Sequence, residues 1–380
     1  MKRLLHNARV LTEAGFEEGL GVLVEGGRIV AVAPSRQLED AAGGTHDLQG
    51  AYLVPGFIDC QVNGGGDALF NDDPSVETIA RIAQAHRRFG STGLLPTLIS
   101  TDVETMRAAI DAVGGAIEQG VPGVLGIHLE GPFLAPARKG VHDANVFRKP
   151  TREEIELIYS LKRGRTLLTV APECVAAEVI RELTERGVIV CLGHTGADYA
   201  QTRAALDAGA RGFTHLFNAM TPMGSREPGV VGAALAHHES WCGVIVDGLH
   251  VHPATLRVAL AAKPRGKMFL VTDAMPPVGG ARSQFRLGGR AVECRDGRCT
   301  TSDGTLAGSA LDMASAVRNT VAMLEEPPAE AIRMASTYPA DFFGLNDRGR
   351  IAPGYRADFA VLGENLVVRE TWIGGERSAQ

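Results

Sequence analysis

The chain has 380 residues, 45% apolar and 22% charged, with a formal net charge of −6. That composition can bury a large core, so wholesale disorder is excluded, and 46 glycines without a fixed period exclude collagen-like and repeat architectures. With no block of basic residues and only 5% aromatic residues, a nucleic-acid partner is not expected, whereas a small anionic substrate needs only one or two local Arg or His residues.

The chain opens with short strands at 4–5, 21–25 and 28–32 around the turn Gly26-Gly27. It closes with similar ones at 358–362, 366–369 and 371–373. Neither end has enough apolar surface to fold alone. Residues 1–51 and 347–380 are therefore predicted to pair into one small discontinuous β domain, a β-sandwich built from both termini. Between them, over 52–346, β-branched apolar runs alternate with helical stretches, the pattern of parallel strands joined by crossover helices. Strands are predicted at 54–61, 93–99, 124–129, 167–171, 188–192, 212–214, 242–246 and 268–272. Helices are predicted at 75–89, 102–119, 151–161, 176–186, 198–208 and 253–262. Eight such units are the count of a (β/α)₈ TIM barrel, which makes the chain an α/β protein. Residues 284–302 read as an inserted β-hairpin and 307–324 as the last barrel helix.

The longest run without a formal charge, 212–225, is 14 residues and contains His215, Asn218 and Pro222, so no membrane span is expected. The start MKRLLHNARV does not read as a signal peptide. Six cysteines without a CxxC fit a reducing cytosol, and a cytoplasmic location is expected. The turn Asp296-Gly297 would bring Cys294 opposite Cys299, close enough for a disulfide. Two free thiols are the expectation for a cytosolic protein.

Most predicted strands end on a polar residue with ligand or acid–base capability: Gln61 and Asn63, Glu130, Glu173, His194, His215, His250 and Asp273. In a barrel all strand C-termini meet at one mouth, so these scattered residues converge. Glu130, His194 and His215 supply one carboxylate and two imidazoles, a set that suits Zn²⁺ or a similar divalent ion with a position open for water. Asp273 is then placed as general base and proton shuttle. His128 is expected to pack, Glu173 is open between a supporting and a structural role, and His237 and His238 read as structural or surface residues at a helix end. His86 and His252 read as surface.

VPGFIDCQVNGGG resembles the first-strand motif of the amidohydrolase superfamily, and GRIAPGYRADFAVL resembles its C-terminal signature. The series STGLLPTLIST, GIHLEGPFL, APE, GHTGA, THLFNAM, REPGVVGAAL, VTDAMPP and GTLAGSALDM, in that order, is similar to the N-acetylglucosamine-6-phosphate deacetylases of that superfamily. The resemblance covers nearly the whole chain. It implies hydrolysis of the N-acetyl group of N-acetyl-D-glucosamine 6-phosphate to D-glucosamine 6-phosphate and acetate, a step of amino-sugar breakdown or recycling. Alternatives are the N-acetylgalactosamine 6-phosphate epimer, another amide hydrolase of the superfamily, or a non-catalytic scaffold that keeps the barrel. Carried over by motif, Glu130, His194 and His215 resemble the metal ligands and Asp273 the catalytic acid–base. His142 resembles the histidine that polarises the acetyl carbonyl. Asn218, Ala219, Arg226 and His250 resemble the sugar-phosphate contacts. The resemblance also implies a homodimer in which Arg226 completes the neighbouring subunit's site. Many relatives carry His-x-His on the first strand, where this chain has Gln61 and Asn63. One tight divalent ion is therefore expected, Zn²⁺ foremost with Fe²⁺, Mn²⁺, Co²⁺ or Cd²⁺ accepted by the same ligands, and Gln61 and Asn63 mark at most a weak or vestigial second site.

Overall fold

The computed structural model describes residues 2–379. Eight parallel strands form one sheet in chain order: β1 (Phe57–Val62), β2 (Ser91–Ile99), β3 (Gly126–Glu130), β4 (Arg165–Val170), β5 (Ile189–Leu192), β6 (Gly212–Phe213), β7 (Trp241–Val244) and β8 (Met268–Leu270). The sheet closes where Val62 bridges Ala274 in parallel and the N–H groups of Asn63 and Gly64 donate to the Ala274 carbonyl. Helices α1 (Val76–Arg87), α2 (Val103–Glu118), α3 (Arg152–Ile158), α4 (Ala177–Glu185), α5 (Tyr199–Asp207), α6 (Gly229–Ala236), α7 (Pro253–Ala262) and α8 (Met313–Leu324) follow the strands in turn. Several begin on a side chain that accepts an orphan backbone N–H: Ser75, Asp102, Thr151, Asp198 and Asp312. The (β/α)₈ prediction is borne out.

Two further sheets are built from the chain ends, the first from the N-terminal end alone and the second from both. One has four strands, in the order Arg28–Pro34, Leu20–Glu25, Arg3–His6, Thr45–Asp47. The other has six, in the order Glu376–Ala379, Val368–Ile373, Phe359–Leu362, Tyr52–Pro55, Arg9–Leu11, Phe16–Glu17. They share a buried core that includes Leu5, Val22, Ile29, Leu53, Phe359 and Trp372.

The structure differs from the sequence reading in several places, each with a local cause. The strand predicted at 54–61 is two elements: Tyr52–Pro55 pairs antiparallel with Phe359–Leu362, and only Phe57–Val62 enters the barrel. The chain changes partner at Gly56, whose N–H donates to the Asp358 carbonyl while that of Phe57 donates to Gly90, and only glycine fits there, since a Cβ would lie 2.1 Å from Thr92 Oγ1. The helix predicted from 307 begins at Met313, because Leu306–Ser309 is a strand against Arg298–Thr301. The predicted hairpin is thus a four-stranded sheet, Gln284–Leu287, Arg290–Arg295, Arg298–Thr301 and Leu306–Ser309, whose apolar residues cluster with Ile99 and Met275 at the barrel mouth. Cys294 and Cys299, expected as free thiols, are joined in a disulfide across the Asp296-Gly297 turn, with Cα atoms 4.0 Å apart. His86, read as a surface residue, is fully buried and bonds the Gly64 carbonyl at 2.9 Å. Two helices after α8, α9 (Pro328–Ala335) and α10 (Thr337–Phe343), pack on β8 and β1 and were not predicted. Their prolines sit at or near helix starts, where a missing N–H costs nothing.

Closure rests on a buried carboxylate. Asp59 on β1 accepts Thr272 Oγ1 at 2.6 Å, and the N–H groups of Thr272 and Gln61 at 3.3 Å, so the first strand is tied to the end of the eighth. Burial pushes the Asp59 carboxyl up to about 7 against those bonds. Thr272→Val removes the shortest of them and is predicted to destabilise the protein by about 2 kcal/mol, read as a lower Tm. An unchanged Tm would show that closure does not depend on this contact.

Candidate active site

At the barrel mouth the chain leaves regular geometry. His194, His215 and Asp273, each just past a strand end, have φ of 49°, 32° and 53°. Such left-handed values cost a non-glycine residue roughly 1–3 kcal/mol each. Around Asp273 the neighbouring chain holds the turn, with Ser309 N–H donating to the Asp273 carbonyl and Met275 N–H to that of Ser309, both at 2.9 Å. Gly308 permits the approach, because a Cβ there would lie 2.7 Å from the Asp273 carbonyl.

Glu130, the last residue of β3, meets two imidazoles. Its Oε1 is 3.2 Å from His194 Nε2 and 3.0 Å from His215 Nε2, and the two Nε2 atoms are 3.1 Å apart. All three side chains are buried. His194 Nδ1–H donates to the Arg138 carbonyl at 2.9 Å, which turns its Nε2 lone pair inward. Burial alone would raise the Glu130 carboxyl; the bonds and charge of the two histidines override it and hold it well below the usual carboxylate range. His215 is buried too, yet its bond to Glu130 raises its proton affinity. A tetrahedral ion with bonds of about 2.1 Å spaces its donors by about 3.4 Å, close to the separations here. One carboxylate with two imidazoles is a borderline donor set, so the three residues fit a divalent ion of the Zn²⁺ kind.

Asp273 faces this cluster. Its Oδ1 accepts Asn63 Nδ2 at 2.6 Å and Gln61 Nε2 at 3.2 Å, and the same Gln61 nitrogen lies 3.2 Å from both Glu130 oxygens. Only the NH₂ end of the amide can face two carboxylates, since its oxygen would meet negative charge on both sides. In this orientation Gln61 offers no lone pair to a second cation beside Asp273. Burial foremost, and then the charge of Glu130, raise the Asp273 carboxyl to about 6.

A cavity of about 490 Å³ opens from the cluster. His142 lines it, buried, with its ring centroid 4.5 Å from that of His194 and its Nδ1 2.8 Å from Ser100 Oγ. Burial and the neighbouring His194 push its proton affinity down to about 3, so the ring is neutral near pH 7. Asn63, Asn218, Ala219 and His250 also line the cavity. Arg226 does not: it is exposed in the loop before α6. His128 lies inside the barrel, bonded to Thr97 Oγ1 at 3.2 Å and Thr169 Oγ1 at 2.8 Å, as its packing role required. Glu173 accepts Thr195 Oγ1 and the Gly196 N–H, both at 2.6 Å, and so braces the turn that carries His194.

Two residues absent from the sequence reading matter here. Asp247 binds His250 Nδ1 at 2.6 Å and accepts the N–H groups of Leu249 and His250. Ser100 holds His142. Both follow an apolar strand, β7 and β2, so the strand-end rule that located the other residues also applies to them.

A model of the amidohydrolase family matches residues 52–377. An N-acetylgalactosamine-6-phosphate deacetylase of Shewanella sp. (strain ANA-3) is 44% identical over 97% of this chain and 94% of that protein. An N-acetylglucosamine-6-phosphate deacetylase of Haemophilus influenzae is 35% identical over 99% of both. The crystal structure of N-acetylglucosamine-6-phosphate deacetylase from Pasteurella multocida superposes on all of this chain and all of that one with a TM-score of 0.97 at 35% identity. The family match over most of the chain and relatives of nearly equal length together show that this protein belongs to the amidohydrolase family.

Proposed function

We propose that the chain hydrolyses the N-acetyl group of N-acetyl-D-glucosamine 6-phosphate, giving D-glucosamine 6-phosphate and acetate. The reading is carried by one juxtaposition: three buried donors, Glu130, His194 and His215, beside Asp273 at the head of a cavity sized for a sugar phosphate. The relatives' names supply the substrate class. A second reading, the galacto epimer, is favoured by the higher identity to the relative named for it, 44% against 35%.

Glu130, His194 and His215 hold one divalent cation, Zn²⁺ foremost. Such a cation supplies Lewis-acid polarisation and lowers the pKa of water. Asp273 accepts a proton from the attacking water as its oxygen bonds to the acetyl carbon, then delivers that proton to the amide nitrogen as the C–N bond breaks. Without that delivery the nitrogen would have to leave as an anion. His142, neutral, donates a hydrogen bond to the carbonyl oxygen as negative charge develops on it. Asn218, Ala219 and His250 contact the sugar phosphate, remote from the bond broken, and so orient the amide. Arg226, exposed beside the 59%-exposed Met223, reaches the phosphate of a neighbouring copy in a homodimer. A cytoplasmic location rests on the four free cysteines, with the Cys294–Cys299 disulfide standing against it.

Acetate release from both epimers, with and without the 6-phosphate, tests the substrate. The phosphorylated sugars are expected to be preferred by about 100-fold or more in kcat/KM; equal rates without phosphate would remove the phosphate contacts, and no release from any would end the reading. Asp273→Asn is expected to lower kcat by about 10³-fold while the metal stays bound; a variant with most of its turnover would take Asp273 out of the mechanism. Because Asp273 works as the carboxylate, kcat/KM should fall as pH drops through its pKa. Burial and Glu130 raise that value to about 6 and a bound cation pulls it back towards the ordinary 3.8, so the acid limb is expected between those bounds; a limb above pH 7 would contradict this. Elemental analysis should find about one tight divalent ion per chain, lost in Glu130→Gln. Two tight ions would refute the part given to Gln61.

A further inference from the structure

Asn71 clamps the end of β2. Its Oδ1 accepts the Ile99 N–H at 2.9 Å and its Nδ2 donates to the Ile99 carbonyl at 3.0 Å, which fixes the peptide leading into Ser100. Ser100 is buried, with Oγ 2.8 Å from His142 Nδ1 and 3.3 Å from the Glu130 carbonyl oxygen. Its backbone N–H points at the same Nδ1, at 3.4 Å. The fold makes room for the hydroxyl: a Cβ on Gly131 would lie 2.3 Å from Ser100 Oγ.

The backbone contact decides the chemistry of the ring. An amide N–H can only donate, so its contact assigns the lone pair to His142 Nδ1; the single Ser100 hydroxyl proton then goes to Nδ1, the shorter contact, rather than to the Glu130 carbonyl, and the proton of the neutral imidazole sits on Nε2. His142 lines the cavity, and with Nδ1 engaged from behind, Nε2 is the nitrogen left to meet a ligand. In the other tautomer Nε2 would offer a lone pair to an oxygen that is gaining negative charge, and the contact would repel.

We propose that Ser100 is a positioning residue that holds His142 in the Nε2–H tautomer, aimed into the cavity as a hydrogen-bond donor to the acetyl carbonyl. This rests on the deacetylase reading for what the donor acts on, but the tautomer itself does not.

The test combines kinetics with a measurement independent of turnover. Ser100→Ala and Ser100→Thr are compared in the parent and in a His142→Asn background, with N-acetyl-D-glucosamine 6-phosphate as substrate and metal content checked. Ser100→Ala is expected to lower kcat by about tenfold with KM changed less than about threefold, Ser100→Thr to recover most of it, and Ser100→Ala to add less than about twofold loss where His142 is absent. An unchanged kcat, or the same fractional loss in both backgrounds, would overturn the proposal. ¹⁵N NMR of the His142 ring in the parent protein should find the proton on Nε2. A proton on Nδ1 would overturn the proposal even in a protein that releases no acetate, whereas a proton on Nε2 with no acetate released would refute only the deacetylase reading.

Discussion

The site depends on what it takes to keep two carboxylates out of water a short distance apart. Glu130 is buried at the barrel mouth with Asp273, partly exposed, beside it, and the charge of Glu130 raises the cost of ionising Asp273. The protein answers with imidazoles and amides rather than with a Lys or Arg. Two imidazoles face Glu130, the Asn63 amide faces Asp273, and one Gln61 NH₂ stands between the two acids. A divalent cation held by Glu130, His194 and His215 would supply the remaining positive charge, and Asp273, left as a carboxylate, would then be free to take a proton from water. The same compensation that makes the burial tolerable makes the site reactive.

Positions of the functional atoms follow from the barrel. Parallel strands deliver every C-terminus to one face, and closure at β1 and β8, through Asp59 and Thr272, fixes the distance between the first strand's amides and Asp273. Left-handed backbone at His194, His215 and Asp273 is concentrated where side chains must turn inward at once after a strand. The inserted four-stranded sheet, packed over Ile99 and Met275, holds the turn at Asp273 in place through Ser309.

Much of this was legible in the sequence, for a physical reason. A strand that must be buried on both faces is a nearly unbroken apolar run, so a polar residue at its end stands out, and Glu130, His194, His215 and Asp273 were found that way. The same rule, applied to β2 and β7, reaches Ser100 and Asp247, which look ordinary until the histidines they hold are seen. His86 was misread because a lone His in an amphipathic helix carries no sign of which carbonyl it will find. The break at Gly56 was hidden because both sides of it are strand and the partners it changes between, Asp358 and Gly90, lie far off in the chain. α6 is apolar nearly all round, GVVGAALA, so it shows no helical stripe. Arg226 is legible as a motif residue, but it is exposed in the loop before α6 and does not line the cavity.

The most direct test is anomalous diffraction from crystals of the intact protein grown with Zn²⁺ and the reaction product. The account predicts one strong metal peak per chain, bounded by Glu130, His194 and His215, with an Asp273 oxygen turned towards the open side and the amine of the product. A peak elsewhere, or those four side chains dispersed around a pocket that takes up no divalent ion, would contradict it.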